Sequence, residues 1–398
     1  MKKITFPFAL VGLLICVQAQ DKISNKEGSE YNFKVLTDIE ASDVQNQGRT
    51  GTCWSFSALS FIESEIIRLG GGKHELSEMF IVRNTYSDKA NKYVRMHGNL
   101  NFGAGGAFHD VTEMIDAFGI LPLKVYTGKQ SGEKNYNHGE MDHLLLGMVK
   151  AIVDAEQETL TPLWKPAIEA VLDTYLGKVP STFNYRGKEY SPESFTKSLN
   201  FNAKDYVFIS SFTHHPFYEE FILEVPDNWM MKKVYNCPID EMVSIIDNAL
   251  MNEYSIAWAS DISEAGFSFR DGLALVPQDG AKIMKSSKDN QNSSDAGSSI
   301  ESTVFEAPCE EKKITQEIRQ LAFDNYETTD DHGMHMTGIV EDQKGKKYYI
   351  IKNSWGTNYN DCDGYFYASE AYVKYKTMDI MLHKDAIPKK LRKKLNID

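Results

Sequence analysis

Apolar residues recur at helical spacing from Cys53 onward, at Phe56, Leu59, Ile62 and Ile66, and the run stops at Gly70-Gly71-Gly72. Apolar positions three or four apart mark a helix that buries one face, so this spacing predicts a helix opening at or near Cys53. The segment from about Gly139 to Leu176 repeats the pattern through Leu144, Met148 and Ile152, and Ile239 to Met251 repeats it again. Between them, Lys204 to Phe212 is strand-like. Met336 to Val340, a turn at Asp342 to Gly345, and Tyr348 to Lys352 read as a hairpin, and Tyr365 to Ala368 as a further strand. The chain is therefore helix-rich first and strand-rich last, without an internal repeat. That order predicts an α+β fold with two unlike halves.

Two segments stand apart. At the N-terminus, Lys2 and Lys3 precede an apolar stretch from Ile4 to Cys16 that is too short to span a bilayer, and Val17-Gln18-Ala19 supplies small residues for cleavage. Residues 1–19 are thus expected to be an export signal cut after Ala19, leaving a mature chain of 20–398 in the periplasm or outside the cell. Around Ser286 to Ser302 the composition collapses into Ser, Asn, Asp and Gly, which predicts an exposed loop (286–302) within one domain rather than a linker between two.

Composition narrows the function by exclusion. The 398 residues carry a formal net charge of −13, opposite to the basic face that nucleic-acid binding requires, so no nucleic-acid partner is expected. The local basic run Lys389, Lys390, Arg392, Lys393 and Lys394 reads as a solvated tail. No later segment is apolar enough for stable membrane insertion. Cleavage would remove Cys16 and leave Cys53, Cys237, Cys309 and Cys362. If Cys53 stays a thiol, at most one disulfide can form among the rest, so the core must hold the fold.

Candidate chemistry lies in three short pieces. The first is Gln47-Gly48-Arg49-Thr50-Gly51-Thr52-Cys53-Trp54. A thiol becomes a good nucleophile as a thiolate, and a helix N-terminus favours that anion. The Cys53 amide and the Gln47 side chain are candidate donors to a developing oxyanion. A buried free Cys is also a common structural residue, so this piece alone does not decide. The second is Asp331-His332-Gly333-Met334-His335-Met336-Thr337-Gly338, where a His opening a strand can reach across a cleft. His335 is the local rival and should point to the opposite face of the strand. The third is Lys352-Asn353-Ser354-Trp355-Gly356, whose amide oxygen would orient an imidazole while Trp355 covers that hydrogen bond.

Together these pieces resemble the papain family of cysteine peptidases in identity, order and separation. The resemblance implies a two-lobed fold, a helical lobe plus a β-barrel-like lobe, here with large insertions including a helical one around 139–200. It implies Cys53 as nucleophile, His332 as its partner through the His-x-x-x-x-x-Gly spacing to Gly338, Asn353 as orienter and Gln47 as oxyanion donor. Glu75-Leu76-Ser77-Glu78 follows the nucleophile helix as in that family. Gly105 and Gly106 fall where the family binds substrate backbone, and Trp355 is grouped with them as a substrate-side residue. Segments such as Asn236-Cys237-Pro238-Ile239 and Trp258-Ala259-Ser260-Asp261 look like the bleomycin hydrolase and aminopeptidase C branch. That likeness implies an aminopeptidase acting on peptides, a homohexamer, and a C-terminal tail whose carboxylate enters the cleft. The basic tail Pro388 to Asp398 and the export signal depart from that pattern, leaving an endopeptidase or dipeptidyl peptidase as the alternative and a non-catalytic binding protein as a third reading. No cofactor is called for, and no His/Cys cluster has metal-ligand spacing.

Overall fold

The computed structural model describes residues 23–130, 132–278 and 303–398. The expected signal (1–19) and the Ser-rich loop (286–302) lie outside the described residues.

The first half is helical. After strand β1 (Lys34–Asp38) come α1 (Cys53–Arg68), α2 (Glu78–Arg95), α3 (Phe108–Phe118), α4 (Gly139–Asp154) and α5 (Trp164–Leu176). A hairpin of β2 (Phe183–Tyr185) and β3 (Lys188–Tyr190) and the short α6 (Pro192–Ser198) complete it. Helix α1 is the axis of this lobe: every residue from Trp54 to Ile66 except Ser60 is buried. The ring of apolar contacts includes Met79, Phe80 and Val82 of α2 and Val111 and Ile115 of α3. The expected single helical stretch from Gly139 to Leu176 is instead two helices. The polar run at 155–163 ends with Thr-Pro-Leu, and Pro162 cannot continue the ladder of the preceding turn. The insertion predicted around 139–200 therefore holds α4, α5, the β2–β3 hairpin and α6.

The second half runs β4 (Tyr206–Ser210), β5 (Glu220–Ile222), β6 (Lys233–Asn236), α7 (Ile239–Met251), β7 (Ile256–Ser260), β8 (Phe267–Ser268) and β9 (Leu273–Ala274). It continues with α8 (Gln316–Asp324), β10 (His332–Glu341), β11 (Lys347–Lys352), β12 (Tyr365–Ser369), α9 (Glu370–Lys376), β13 (Thr377–His383) and α10 (Lys389–Lys394). The strands form one sheet in the order β5-β6-β4-β13-β7-β10-β11-β12-β9-β8, with β1 added to β10. The hairpin β10–β11 pairs Met336 with Ile351 and Val340 with Tyr348. Strand β10 begins at His332, four residues before the apolar alternation does. Its residues from His332 to Val340 are all buried, since α1 covers one face and α7 packs on the other. A strand covered on both sides loses its period of two.

The thiols agree with the limit of at most one disulfide, while the tail departs from expectation. All four described cysteines, Cys53, Cys237, Cys309 and Cys362, are free thiols. The tail does not enter the cleft: Leu391, Leu395 and Ile397 are buried in the core of the β lobe. Lys394 pairs with Glu241 of α7 at 2.6 Å, and burial raises the Tyr235 phenol of β6, with smaller contributions from the charges of Glu220 and Asp398. The apolar residues spaced through the basic run, masked in the sequence by five cations, dock the tail on this outer face. Among the described residues, no helix is long and apolar enough to cross a membrane.

Candidate active site

Where α1 meets β10, a cleft of roughly 200 Å³ opens between the lobes. Its walls include Gln47, Cys53, Trp54, Gly105, Gly106 and His332. The N-terminus of α1 forms its floor. As the first residue of the helix, Cys53 has a backbone N–H with no intrahelical acceptor, and the positive end of the helix dipole faces the cleft. Strand β10 approaches closely because residue 333 is glycine: a Cβ there would come within 2.7 Å of Ser57 Oγ and 3.2 Å of Trp54 Cα. That approach lets the Gly333 backbone hydrogen-bond to the Cys53 sulfur and places His332 on the cleft wall.

The imidazole of His332 is fixed from behind. Its Nε2 donates to Asn353 Oδ1 at 2.8 Å, which leaves Nδ1 as the ring nitrogen for the cleft side. The indole of Trp355 lies against the ring at 4.8 Å between centroids, tilted by 31°. Phe267 and Phe269 pack edge-on to that indole. The His332–Asn353 bond is thus shielded from water. Trp355 itself is only 5% exposed and does not line the cleft. Its place is behind the imidazole, not on the substrate side where it was expected.

Gln47 is held at both ends of its amide. Oε1 accepts from Ser354 Oγ at 2.6 Å, and Nε2 donates one hydrogen to Thr50 O at 2.8 Å. The second amide hydrogen remains, on a residue that lines the cleft beside Cys53. Gly105 and Gly106 form the opposite rim. A Cβ at Gly106 would meet the Trp54 indole at 2.9 Å, and one at Gly105 would collide with the Asp227 carboxylate, so this rim needs bare backbone.

His335, the rival imidazole, faces away from the cleft. It is fully buried, with Nδ1 paired to Ser60 Oγ at 2.9 Å and its ring edge-on to Phe61. It shares a small polar interior with Glu63, Glu78 and Lys352. There burial pushes the Glu63 carboxyl up to about 7 and Glu78 up to about 8, and lowers Lys352 to about 8.

The low dielectric of the site governs its charges. Burial pushes the Cys53 thiol up to about 12, helped by the negative charges of Asp330 and Asp227 and opposed by the Gly333 and Trp54 backbone hydrogen bonds. Burial also lowers His332 to about 4, against the pull of Asn353 and Asp331. Neither group is suited to carrying a charge alone. Moving one proton from sulfur to ring nitrogen creates two opposite charges together, and each then stabilises the other.

Sequence reasoning missed three cleft walls, Asp227, Asp330 and Asp379. Asp379 had a visible signal, since it is the lone carboxylate in the apolar strand TMDIMLH. Asp227, in a Pro-Asp-Asn turn, had none. Spacing also missed a group outside the cleft, in which His214, His215 and Glu224 bring ligand atoms within 4.8 Å of one another. Glu224 lies beyond β5, nine residues after His215, and both imidazole Nε2 atoms already share its carboxylate at 2.9 Å.

The Peptidase C1-like family model matches residues 280–398. Aminopeptidase C of Streptococcus thermophilus is 23% identical over 403 residues, covering 89% of this chain and 83% of that protein. Aminopeptidase C of Listeria monocytogenes is 21% identical, covering 92% and 85%. The crystal structure of PepW from Lactobacillus rhamnosis superposes with a TM-score of 0.67 at 18% identity, over 91% of this chain and 84% of that one. The chain thus has a papain-like fold, resembles the Peptidase C1-like family over residues 280–398, and is similar to aminopeptidase C proteins over most of its length.

Proposed function

We propose that this protein is a cysteine aminopeptidase in which Cys53 attacks the scissile carbonyl and His332 accepts the thiol proton, then gives it to the leaving amine. The observation that carries this reading is the thiol at the N-terminus of α1 facing a strand whose His332 is tied to Asn353 at 2.8 Å. In the proposed sequence, sulfur bonds to the carbonyl carbon and the carbonyl electrons move onto oxygen. The Cys53 amide and the free Gln47 hydrogen receive that oxyanion. Collapse expels the protonated amine and leaves a thioester, which water hydrolyses with His332 as base. Asn353 and Trp355 hold the ring, and Gly105 and Gly106 bind substrate backbone. The relatives called aminopeptidase C support removal of N-terminal residues as the reaction. A homohexamer and export through residues 1–19 belong to the same proposal. Residues 1–19 have the basic and apolar pattern of an export signal.

One observation favours a second reading. Since residues 388–398 dock outside the cleft, an endopeptidase or dipeptidyl peptidase would find room for a longer substrate. Hydrolysis of one peptide with a free N-terminus beside its acetylated form, under reducing conditions, separates the two. The aminopeptidase reading expects the free form to be cleaved at least about 100-fold faster, because the lost contact is a hydrogen-bonded charge. Equal rates would replace it with endopeptidase action.

A further inference from the structure

One part of the cleft wall is lined by carboxylates. Asp330 lies two residues before β10, Asp379 lies on β13 and Asp227 follows β5, and all three line the cleft beside Cys53. The sheet brings the first two together, because β7 pairs with β10 on one edge and with β13 on the other. Ser260 of β7 faces both His332 and Thr377 across the ladders, so Asp330 and Asp379 each sit two residues from the same crossing point.

Their partners are too few for three carboxylates. Asp227 accepts one hydrogen bond, from Asn101 Nδ2 at 2.9 Å. Among the described residues no donor reaches the side chain of Asp330 or Asp379, although Asp379 is only 7% exposed. A carboxylate that is more than nine-tenths buried, unpartnered and facing a cleft is costly unless something enters to meet it. The charge of Lys89 favours the Asp227 carboxylate at the rim. Lys89 itself donates to Gly103 O at 3.0 Å and Gly105 O at 2.5 Å, and no cation is among the charges acting on Asp330 or Asp379. The strain shows in protonation: burial pushes the Asp379 carboxyl up to about 7, and burial with the charges of Asp227, Asp379, Asp331 and Asp261 pushes Asp330 well up.

We propose that Asp330 and Asp379, with Asp227 at the rim, form the subsite that binds an ammonium group of the substrate on the acyl side of the scissile bond. This rests on the cysteine peptidase reading of the same cleft and places the amine anchor in the cleft walls, since the tail, whose carboxylate was expected there, is docked on α7 and β6. Two sources carry that chemistry. One is the α-ammonium of a substrate's first residue, held at a fixed reach from the bond Cys53 attacks. The other is a lysine side chain one residue further from that bond, in a peptide whose N-terminus is blocked.

The test compares the full chain with Asp330→Asn, Asp379→Asn and the double variant, and includes Asp379→Glu as the charge-conserving control. Three substrates share one scissile bond: a free-amine peptide, its acetylated form, and an acetylated peptide with lysine at the second position. The readout is the ratio of kcat/KM values within each enzyme, which a loss of folded protein does not move. The ratio of free to acetylated, or of lysine-containing to plain acetylated, should fall about 10- to 100-fold in the double variant, the worth of a charged hydrogen bond. It should be largely retained in Asp379→Glu. A fall in the first ratio assigns the α-ammonium and a fall in the second assigns the side chain. If both ratios keep their wild-type values in the double variant, the subsite is overturned. Wild-type enzyme that cleaves the free and acetylated peptides equally fails the aminopeptidase reading alone, and the lysine arm still decides the subsite.

Discussion

Replacing Cys53 with alanine is expected to lower kcat/KM by roughly 10⁴- to 10⁶-fold, as removal of a nucleophile does in a related class of peptidase. His332→Ala should cost a similar factor, and the double variant should cost no more than either single one. The reason is the shared proton. With the thiol pushed up to about 12 and the imidazole down to about 4 by burial, neither residue ionises usefully without the other. Removing one therefore disables both, and the effects do not add. Folding should be preserved in Cys53→Ala, because the thiol borders the open cleft and its loss creates no enclosed cavity. Steady-state kinetics on the three variants, with thermal unfolding beside them, checks this. Additive losses would mean that the two residues act separately.

Gln47→Ala is expected to lower kcat about 10²- to 10³-fold with little change in KM, the usual consequence of deleting one oxyanion donor. The amide is oriented in advance by Ser354 Oγ at 2.6 Å and by Thr50 O at 2.8 Å, so its remaining hydrogen needs no reorganisation as charge develops on the substrate oxygen. Such a contact strengthens in the transition state and therefore appears in kcat. A rise in KM at constant kcat would instead make Gln47 a ground-state contact. Because Ser354 loses its acceptor in this variant, the unfolding temperature is measured alongside and should fall only slightly.

The helix at Cys53 was legible because α1 buries a continuous apolar stripe in one sequence-local element, and the β10–β11 hairpin was legible for the same local reason. The assignments of His332 and Asn353 rested on motif likeness. Periodicity begins only at Met336, since His332 and Gly333 serve the cleft and the seam with α1, not an apolar face. The break between α4 and α5 was underweighted, although the polar run 155–163 and Pro162 announce it. What could not be read locally was long-range pairing. Asp379 and Asp330 are brought toward one cleft by strands that flank β7, and nothing in their own neighbourhoods says so. The tail was misread because five cations hid the apolar positions Leu391, Leu395 and Ile397 that dock it.

The central claim is that catalysis passes through an acyl group carried on Cys53. Rapid-quench mass spectrometry of the wild-type enzyme, mixed with a free-amine ester substrate and digested at acid pH, tests it directly. The predicted result is a transient gain equal to the substrate's acyl group on the peptide containing Cys53 and on no other thiol, with no such gain in His332→Ala. Steady turnover with Cys53 unmodified, or the same adduct on Cys237, Cys309 or Cys362, would contradict it.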